Sequence, residues 1–439
     1  MSEEKHLFQE FESISDESLR EKVIQDLKGK DFEETLVWED ECGIKHQPYY
    51  RASDLDKLND LDEIQACQKK QSNWNVLQSF SIQEENVKSK IQNALDFGVD
   101  QVILREVNSL DEILDVLGKK YKGKAAVKAQ LINLPTDHLL KHFYVDPIAE
   151  ELKNGEKPQE NDEHLLKLFQ ERLNQLEPDP FLLVDGSIYK MAGANIVQEM
   201  ALCLQHALSY FDQLTEASFK AEAVARSLEF KLSFGTSYFP EIAKARAFRY
   251  LVHKLYAAYQ IEEEVSIWGE GSLHYLSHLD PYTNLLRACS MSMAAVLGNC
   301  NKVSTPAFDQ VGVPSALGIR MAKNIQLILK EESYLGHVQD IASGSYYIES
   351  LTHQLANAAW NKFLEYEERG GLQAIIQKGE LQKELSATFE KRKQSYNNGK
   401  TLLGVNKYPN PEGTQVEIHH QKMNQVLPKR FLASEIEKA

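Results

Sequence analysis

The sequence predicts a TIM barrel, an α/β fold in which eight parallel strands alternate with helices. Two observations lead to this prediction. Eight short apolar or β-branched segments recur between residues 75 and 343, and segments with helical periodicity separate them. Eight such units over about 270 residues match the usual size of this barrel. The chain of 439 residues, 42% apolar and 26% charged, leaves room for appendages to that domain.

Residues 1–70 are expected to form an extended N-terminal arm and a linker. Here DESLREKVIQDLKGKDF predicts a short amphipathic helix, LVWEDECGIKHQPYY predicts extended chain, and LDKLNDLDEIQACQKKQSN predicts a polar linker. An arm of this length has little core of its own. We therefore expect it to lie on its own barrel or on another chain.

The strand segments are bounded by turn residues, as strands of a buried sheet usually are. They are NVLQSFS (75–81), QVILREV (101–107), AAVKAQLI (125–132), FLLVDGS (181–187), LEFKLSFGT (228–236), EVSIWGE (264–270), KVSTPAF (302–308) and, more weakly, HVQDIAS (337–343). The barrel domain is thus expected at residues 71–370, with a polar excursion at 145–180 between the third and fourth strands. A helical extension and tail is expected at 371–439.

Helices between the strands are indicated by apolar residues at helical spacing. The clearest segments are NIVQEMALCLQHALSYF, PEIAKARAFRYLVHKLYAAY, NLLRACSMSMAAVLG and ALGIRMAKNIQLILKEESYLG. An open doubly wound sheet is the alternative fold. It would usually have fewer strands and a phosphate-binding glycine loop, and no G-x-G-x-x-G follows a strand here.

Charge and cysteine usage restrict the class of partner and the compartment. The formal net charge of −16 argues against binding nucleic acid or an anionic membrane through bulk electrostatics. No apolar run is long enough to span a bilayer, and the acidic N-terminus lacks the features of a signal peptide. The five cysteines are scattered without a C-x-x-C pair, which favours a reducing compartment. We therefore expect a cytoplasmic protein that does not contact a membrane.

The titratable residues alone do not indicate a reaction. His206, His253 and His353 lie within helical patterns and are expected to be structural. His274 and His278 have a spacing that could place two metal ligands on one helix face, but no carboxylate or thiol completes the set. Glu241, Lys244 and Arg246 are expected to form surface salt bridges, and His419-His420 in the tail are expected to be exposed. No nucleophile elbow, P-loop or kinase signature is present. We thus predict no metal ligand in this chain.

Longer strings resemble those of adenosylcobalamin-dependent acyl-CoA mutases. DPYTNLLRACSMSMAAVLGNCNKVSTPAFD (280–309) is similar to their D-P-Y-x-N-L-L-R…A-V-L-G-G-C pattern, and NIQLILKEESYLGHVQDIASGSYYIESLT (324–352) to their N-x-Q-L-I-L-x-E-E-S…G-G-S-Y-Y-V-E-S-L-T segment. YFPEIAKARAFR (238–249) is similar to F-F-x-E-I-A-K-x-R-A-x-R. The strings DLKGKDFEETLVW…IKHQPYY and LLGVNKYPN extend the resemblance to the arm and the tail.

The resemblance implies a TIM barrel followed, in the family, by a flavodoxin-like domain that binds the corrinoid. That domain carries D-x-H-x-x-G, whose histidine ligates cobalt. The motif does not occur in this sequence. The expectation is therefore a chain lacking the C-terminal cobalamin-binding domain, with no cofactor-binding residue of its own.

The barrel also departs from the catalytic members at the residues that act on the substrate. Where they read roughly G-Y-H-M-Q-E-A-G-A, this chain has Gly186 to Ala194, with Ile188 at the position of the family histidine. An alkyl side chain can neither donate a hydrogen bond nor transfer a proton. The family's substrate-binding arginine has no counterpart in 132–150, where DPIAEEL (146–152) stands, and its S-F-x-F-D-L-P-T region with the tyrosine is missing. We predict no catalytic residue in this chain.

Within the family, catalytically silent chains occur as small subunits of heterodimeric methylmalonyl-CoA mutases, and this sequence looks like one of them. The resemblance implies a heterodimer with a large catalytic subunit that holds adenosylcobalamin and interconverts (R)-methylmalonyl-CoA and succinyl-CoA. Two alternatives remain open: the substrate-binding barrel of a split mutase with a separate cobalamin-binding chain, and a scaffold protein outside the mutase. A silent barrel predicts an axis plugged by large side chains, with Phe230, Lys231, Phe234 and Trp268 as candidates.

Overall fold

Eight parallel strands form the centre of the fold. The structure, a computed structural model, describes residues 14–107, 125–128, 142–158, 163–173, 180–410 and 425–437, with the backbone alone at 125–128 and 142. Contacts divide the chain into two compact units, Met1–Arg51 and Ala52–Ala439. The barrel belongs to the second unit.

The first unit holds two helices and a hairpin. These are α1 (Asp16–Asp26), α2 (Phe32–Leu36), β1 (Trp38–Glu39) and its antiparallel partner β2 (Lys45–His46). The side chain of Ser15 caps α1, and the Asp40 carboxylate accepts hydrogen bonds from the backbone N–H groups of Cys42 and Ile44 in the hairpin turn. The helix and the extended segment predicted for the arm are both present.

The barrel strands are β3 (Asn75–Ser81), β4 (Gln101–Arg105), β5 (Ala125–Lys128), β6 (His142–Tyr144), β7 (Leu182–Asp185), β8 (Leu228–Phe234), β9 (Ile267–Gly271) and β10 (Lys302–Ser304). Their order in the sheet is β6-β5-β4-β3-β10-β9-β8-β7, and all neighbours are parallel. A parallel bridge between Val145 and Leu182 joins the two edge strands. The sheet thus curls into a TIM-like barrel.

Two strand predictions are wrong in opposite ways. Residues 337–343 are turns rather than a strand, and β6 at His142–Tyr144 was not predicted. The stretch FLLVDGS therefore contains the fifth barrel strand rather than the fourth. The excursion at 145–180 includes two helices, and the linker also includes two, with Ile64 fully buried.

Helices of the second unit surround the barrel. They are α3 (Ala52–Leu55), α4 (Leu61–Ala66), α5 (Val87–Asp96), α6 (Pro147–Asn154), α7 (Glu163–Leu173), α8 (Ser187–Ala192), α9 (Ile196–Glu216), α10 (Ala221–Ser227), α11 (Tyr238–Ala258), α12 (Pro281–Leu297), α13 (Ala316–Leu327), α14 (Tyr346–Glu368), α15 (Gly371–Gln377), α16 (Glu380–Asn397) and α17 (Leu432–Glu437), with a 3₁₀ turn at Leu273–Tyr275 and a π turn at Ile328–Glu332. Asn195 and Gln198 form a capping box at the start of α9. The four predicted helical patterns correspond to α9, α11, α12 and α13.

The segment 425–437 crosses the carboxyl-terminal side of the barrel. The N–H of Val426 donates to the carbonyl of Leu152, after β6, and the N–H of Arg430 donates to the carbonyl of Met191, after β7. The ring of His274, after β9, bonds to the carbonyl of Arg430. Residues that follow three different strands are thereby tied to one segment.

Candidate functional site

The candidate site lies where β7 ends and α8 begins. Gly186 makes this turn because a Cβ there would lie 2.6 Å from the Cys203 sulfur and 2.7 Å from the Lys231 carbonyl oxygen. Ile188 follows in the first turn of α8 and is half-buried. The sequence thus placed this position correctly at the carboxyl end of a barrel strand. The side chain there carries no group for acid–base chemistry.

Charged side chains at the neighbouring strand ends pair with one another. The Lys231 ammonium lies 3.5 Å from Oδ1 of Asp185 and 2.7 Å from Oε2 of Glu270. Asp185 also accepts the hydroxyl of Ser187 at 2.5 Å and lies 3.7 Å from the Lys153 ammonium. The two lysines and the two carboxylates of this cluster thus pair with one another at the strand ends.

Bulky side chains from five strands meet inside the barrel. Leu77, Ile103, Tyr144, Leu183 and Trp268 form one buried cluster, each at most 2% exposed. The Trp268 indole donates to the Ser304 hydroxyl at 2.8 Å, and the rings of Tyr144 and Trp268 lie 6.3 Å apart. A ligand running along the barrel axis would have to displace these side chains.

A buried ion pair lies beside this cluster. The Lys302 ammonium donates to Oε2 of Glu229 and to the Tyr144 hydroxyl, both at 2.6 Å, and the Tyr144 hydroxyl donates to Glu229 at 2.7 Å. Glu229 is fully buried, and its Oε1 has no partner among the described residues. The sequence analysis missed all three residues. The alternation Glu229, Lys231, Ser233 in β8 is a signal that could have revealed a polar inner face.

Of the four predicted plug residues, two lie inside the barrel and two do not. Lys231 lies over the Trp268 ring, 4.8 Å from its centre. Phe230 instead packs on Phe248 of α11, and Phe234 lies under the Lys244 ammonium of the same helix. The two phenylalanines are on the opposite face of β8 from Lys231, because successive side chains alternate across a strand.

A second buried network connects β6 to α9. Oδ1 of Asp146 contacts Nε2 of His206 at 3.1 Å and accepts the Tyr210 hydroxyl at 3.0 Å, while Oδ2 accepts the N–H of Asp185 at 2.9 Å. The other ring nitrogen of His206 contacts the Tyr189 hydroxyl. Burial alone raises the pKa of Asp146, but the charge of His206 and its hydrogen bond outweigh burial, so this pKa lies below its usual range.

The residues expected in surface salt bridges are buried, which corrects that prediction. The Lys244 ammonium lies 2.5 Å from Glu241 and 3.2 Å from Glu199, and all three are at most 2% exposed. Burial raises the pKa of Glu199, and the charge of Lys244 opposes this only in part. Arg246 bonds to Glu349 at 2.8 Å and to Asp340, which fixes the loop before α14. Their helix is covered on two sides, by the barrel and by α14, and helical spacing does not reveal that.

The three histidines predicted to be structural have hydrogen-bond partners, and that of His253 is the backbone of Cys67. His353 contacts Asp60 and Asn357. His274 donates from Nδ1 to the Arg430 carbonyl and accepts from Arg392, while His278 contacts Glu437. His274 lies in the 3₁₀ turn and His278 beyond it, so the two do not share a helix face. The described ranges contain no group of three or more His, Cys, Asp or Glu residues placed to hold a metal ion. His419 and His420 lie outside the described residues.

Comparisons with known proteins agree on one family. A family profile described as methylmalonyl-CoA mutase matches residues 166–435. The methylmalonyl-CoA mutase small subunit of Porphyromonas gingivalis is 29% identical, over 93% of this chain and 72% of that protein. The small subunit of Propionibacterium freudenreichii is also 29% identical, over 74% of this chain and 55% of that protein. The large subunit of P. gingivalis is 32% identical, but over 54% of this chain and 34% of that protein. Among the described residues, every helix is too short or too polar to cross a membrane.

Proposed function

Because the chain belongs to the methylmalonyl-CoA mutase family, we propose that it is the non-catalytic small subunit of a heterodimeric methylmalonyl-CoA mutase. Its partner would be the large subunit, which interconverts (R)-methylmalonyl-CoA and succinyl-CoA. The observation that carries the proposal is the barrel interior. Trp268 and Tyr144 belong to the buried cluster there, and Ile188 occupies the strand end where the resemblance places a histidine.

Among the residues that the structure describes, two features argue against a substrate or cofactor site in this chain. An acyl-CoA in the axis would meet the Trp268 cluster and the Lys302–Glu229 ion pair. A cobalt ligand would need a free imidazole nitrogen, yet His206 and His274, near the carboxyl end of the strands, use both ring nitrogens in hydrogen bonds. We therefore assign the radical chemistry of adenosylcobalamin to the partner.

The arm supports a role in binding the large chain. Helix α1 contains no buried residue, and within the first unit Ile24 is 44% exposed and Trp38 is 53% exposed. Exposed apolar side chains on a segment with so small a core are typical of a surface that a partner covers. We propose that the arm contacts the large subunit and that this contact stabilises the heterodimer. The scattered cysteines, with no C-x-x-C pair in the sequence, support a cytoplasmic location.

The direct test is to purify the chain alone and together with a large mutase subunit. The isolated chain should show no methylmalonyl-CoA turnover with added adenosylcobalamin and no cobalamin absorbance after desalting, and it should co-purify with the large chain. Ile24→Asp should weaken this capture, whereas Glu21→Gln, a neighbouring exposed change on α1, should not. Turnover by the isolated chain would refute the proposal.

A split mutase is the second candidate, and one measurement separates it. A barrel that binds the substrate must be stabilised by coenzyme A through mass action. The split mutase would be favoured if coenzyme A raised the melting temperature of the isolated chain and a variant with a larger side chain inside the barrel lost this shift. No shift at millimolar coenzyme A, together with capture by the large chain, supports the non-catalytic subunit over both the split mutase and the unrelated scaffold.

A further inference from the structure

A cavity outside the barrel has the lining of an anion site. It has a volume of about 400 Å³ and lies between the loop after β8, the outer side of α12 and the segment after α16. This volume is within the range of small-molecule sites. Its lining includes the cations Arg287 and Lys400 and the hydroxyls of Thr236, Ser237, Ser290 and Thr401.

The charge of this lining contrasts with the rest of the molecule. The described lining residues include no aspartate or glutamate, although the chain as a whole carries a net charge of −16. Cations and hydroxyl groups that line one cavity without an acid are groups suited to bind phosphoryl oxygens. A solvated surface of this acidic protein would instead intersperse both signs of charge.

The buried cation of the cavity has neutral partners. The guanidinium of Arg287 donates to the Asn284 amide oxygen at 2.9 Å and to the Leu403 carbonyl. The part of the chain that the structure describes places no carboxylate in salt-bridge contact with it. Burial lowers the pKa of Arg287, and the carboxylates of Asp280 and Glu437 oppose this from a greater distance. A desolvated cation without a contacting anion favours the binding of one.

The other groups of the cavity suit the rest of such a ligand. Lys400 is exposed at the rim with its ammonium 5.0 Å from the centre of the Tyr396 ring, so it can turn toward a bound anion. Ser237 precedes α11 without capping it by its side chain, so the Ser237 hydroxyl does not bond to the helix end. Leu286 and Leu403 are 67% and 47% exposed and provide an apolar wall.

We propose that this cavity is a binding site for a small phosphate ester, with the phosphoryl group between Arg287 and Lys400 and the organic part against Leu286 and Leu403. The site is separate from the barrel axis. Its ligand is defined by chemistry, a phosphoryl group on a compact, partly apolar molecule. The proposal does not depend on the assignment of the chain as a mutase subunit.

Calorimetric titration of the full chain with inorganic pyrophosphate, at constant ionic strength in potassium chloride, tests the site. We expect saturable binding that Lys400→Gln weakens by about 2- to 5-fold, as for the loss of one solvent-exposed ion pair. Lys400→Arg should restore it. Lys391→Gln is the matched control: it removes an exposed lysine of α16 that does not line the cavity, and binding should not change.

Three results would overturn the proposal. The first is no saturable binding of pyrophosphate up to about 10 mM, which is weaker than a built site should show. The second is binding that Lys400→Gln and Lys391→Gln leave equally intact, since the anion would then lie elsewhere. The third is tight binding of succinate with none of pyrophosphate, which would make the cavity a carboxylate site.

Discussion

Removing the lysine inside the barrel should destabilise the protein through the carboxylate that it leaves behind. Lys302→Met deletes the ammonium 2.6 Å from Glu229, a side chain with no exposed surface. Breaking a buried ion pair by deleting one partner costs about 3–5 kcal/mol. Because the Lys302 side chain keeps 15% of its surface exposed, we expect a loss near the lower limit, about 3 kcal/mol of unfolding free energy.

Further variants identify the origin of that loss. Lys302→Met combined with Glu229→Gln removes both charges and should recover most of the stability, so a double-mutant cycle that includes Glu229→Gln alone should give a coupling of at least about 2 kcal/mol. Lys330→Met is the matched control. Its lysine is similarly buried, at 17% exposed, but its partner Asp100 is 42% exposed, so the loss should stay below about 1 kcal/mol.

Urea unfolding followed by circular dichroism at pH 8 and pH 5 is the assay. In Lys302→Met the unpaired, buried carboxyl group favours its protonated form in the folded state. The folded state then binds more protons than the unfolded state, so the deficit should shrink as the pH falls. A Lys302→Met variant as stable as Lys330→Met, or a double variant no better than the single one, would refute this reasoning.

Three other predictions concern the titrating groups and the candidate site. Burial, with a smaller effect of Arg249, lowers the pKa of Lys69 to about 8, so between pH 8 and about 10 this lysine binds more protons in the unfolded state and contributes a rise in the unfolding free energy. The difference in unfolding free energy between the wild type and Lys69→Met should therefore grow over this pH range, and a constant difference would contradict the assignment. His206→Gln should lower the unfolding free energy by about 3 kcal/mol at pH 7. It should also reduce the loss of stability below about pH 4, because there the protonation of Asp146, whose pKa is lowered, removes the contribution of this carboxylate to the unfolding free energy. An acid-unfolding profile unchanged from the wild type would contradict this. Ile188→His should not create methylmalonyl-CoA turnover in the isolated chain, because the Trp268 cluster still fills the axis; turnover above the cofactor blank would contradict the proposed function.

The sequence revealed most of the barrel because its strands are short apolar runs with turn residues between them. The two errors have a physical cause. HVQDIAS alternates like a strand, but Arg246 holds Asp340 within this stretch, and Val338 is exposed. The strand at His142–Tyr144 has only three residues, which is too short for an alternation of apolar and polar residues to be recognised.

The position of the candidate site could be predicted from the sequence, but the side chains that fill the barrel beside it could not. Ile188 could be located from the strand end and the resemblance. Hydrophobic alternation could not show which side chains of β8 point into the barrel, because every residue of that strand is buried. Burial on both faces removes the contrast between apolar and polar positions. The barrel turned out to place Phe230 under a helix and Glu229 inside. Only the alternation of Glu229, Lys231 and Ser233 in β8 indicated this arrangement. The pairing of Glu229 with Lys302 could not be predicted without the fold, because it joins two strands that are far apart in the sequence.

The seam between β6 and β7 gives the barrel a preferred place to open. Neighbours such as β3 and β4 pair over five residues, whereas the seam consists of a single bridge at Val145 with two backbone hydrogen bonds of 2.9 Å. The Asp146 carboxylate extends this seam by one bond, to the N–H of Asp185, in place of a backbone carbonyl. In hydrogen-exchange terms, local opening should begin along this side of the cylinder rather than at its ends. Without the Asp146 carboxylate the seam would keep only its two backbone hydrogen bonds, so Asp146→Ala should speed hydrogen exchange along this side of the barrel.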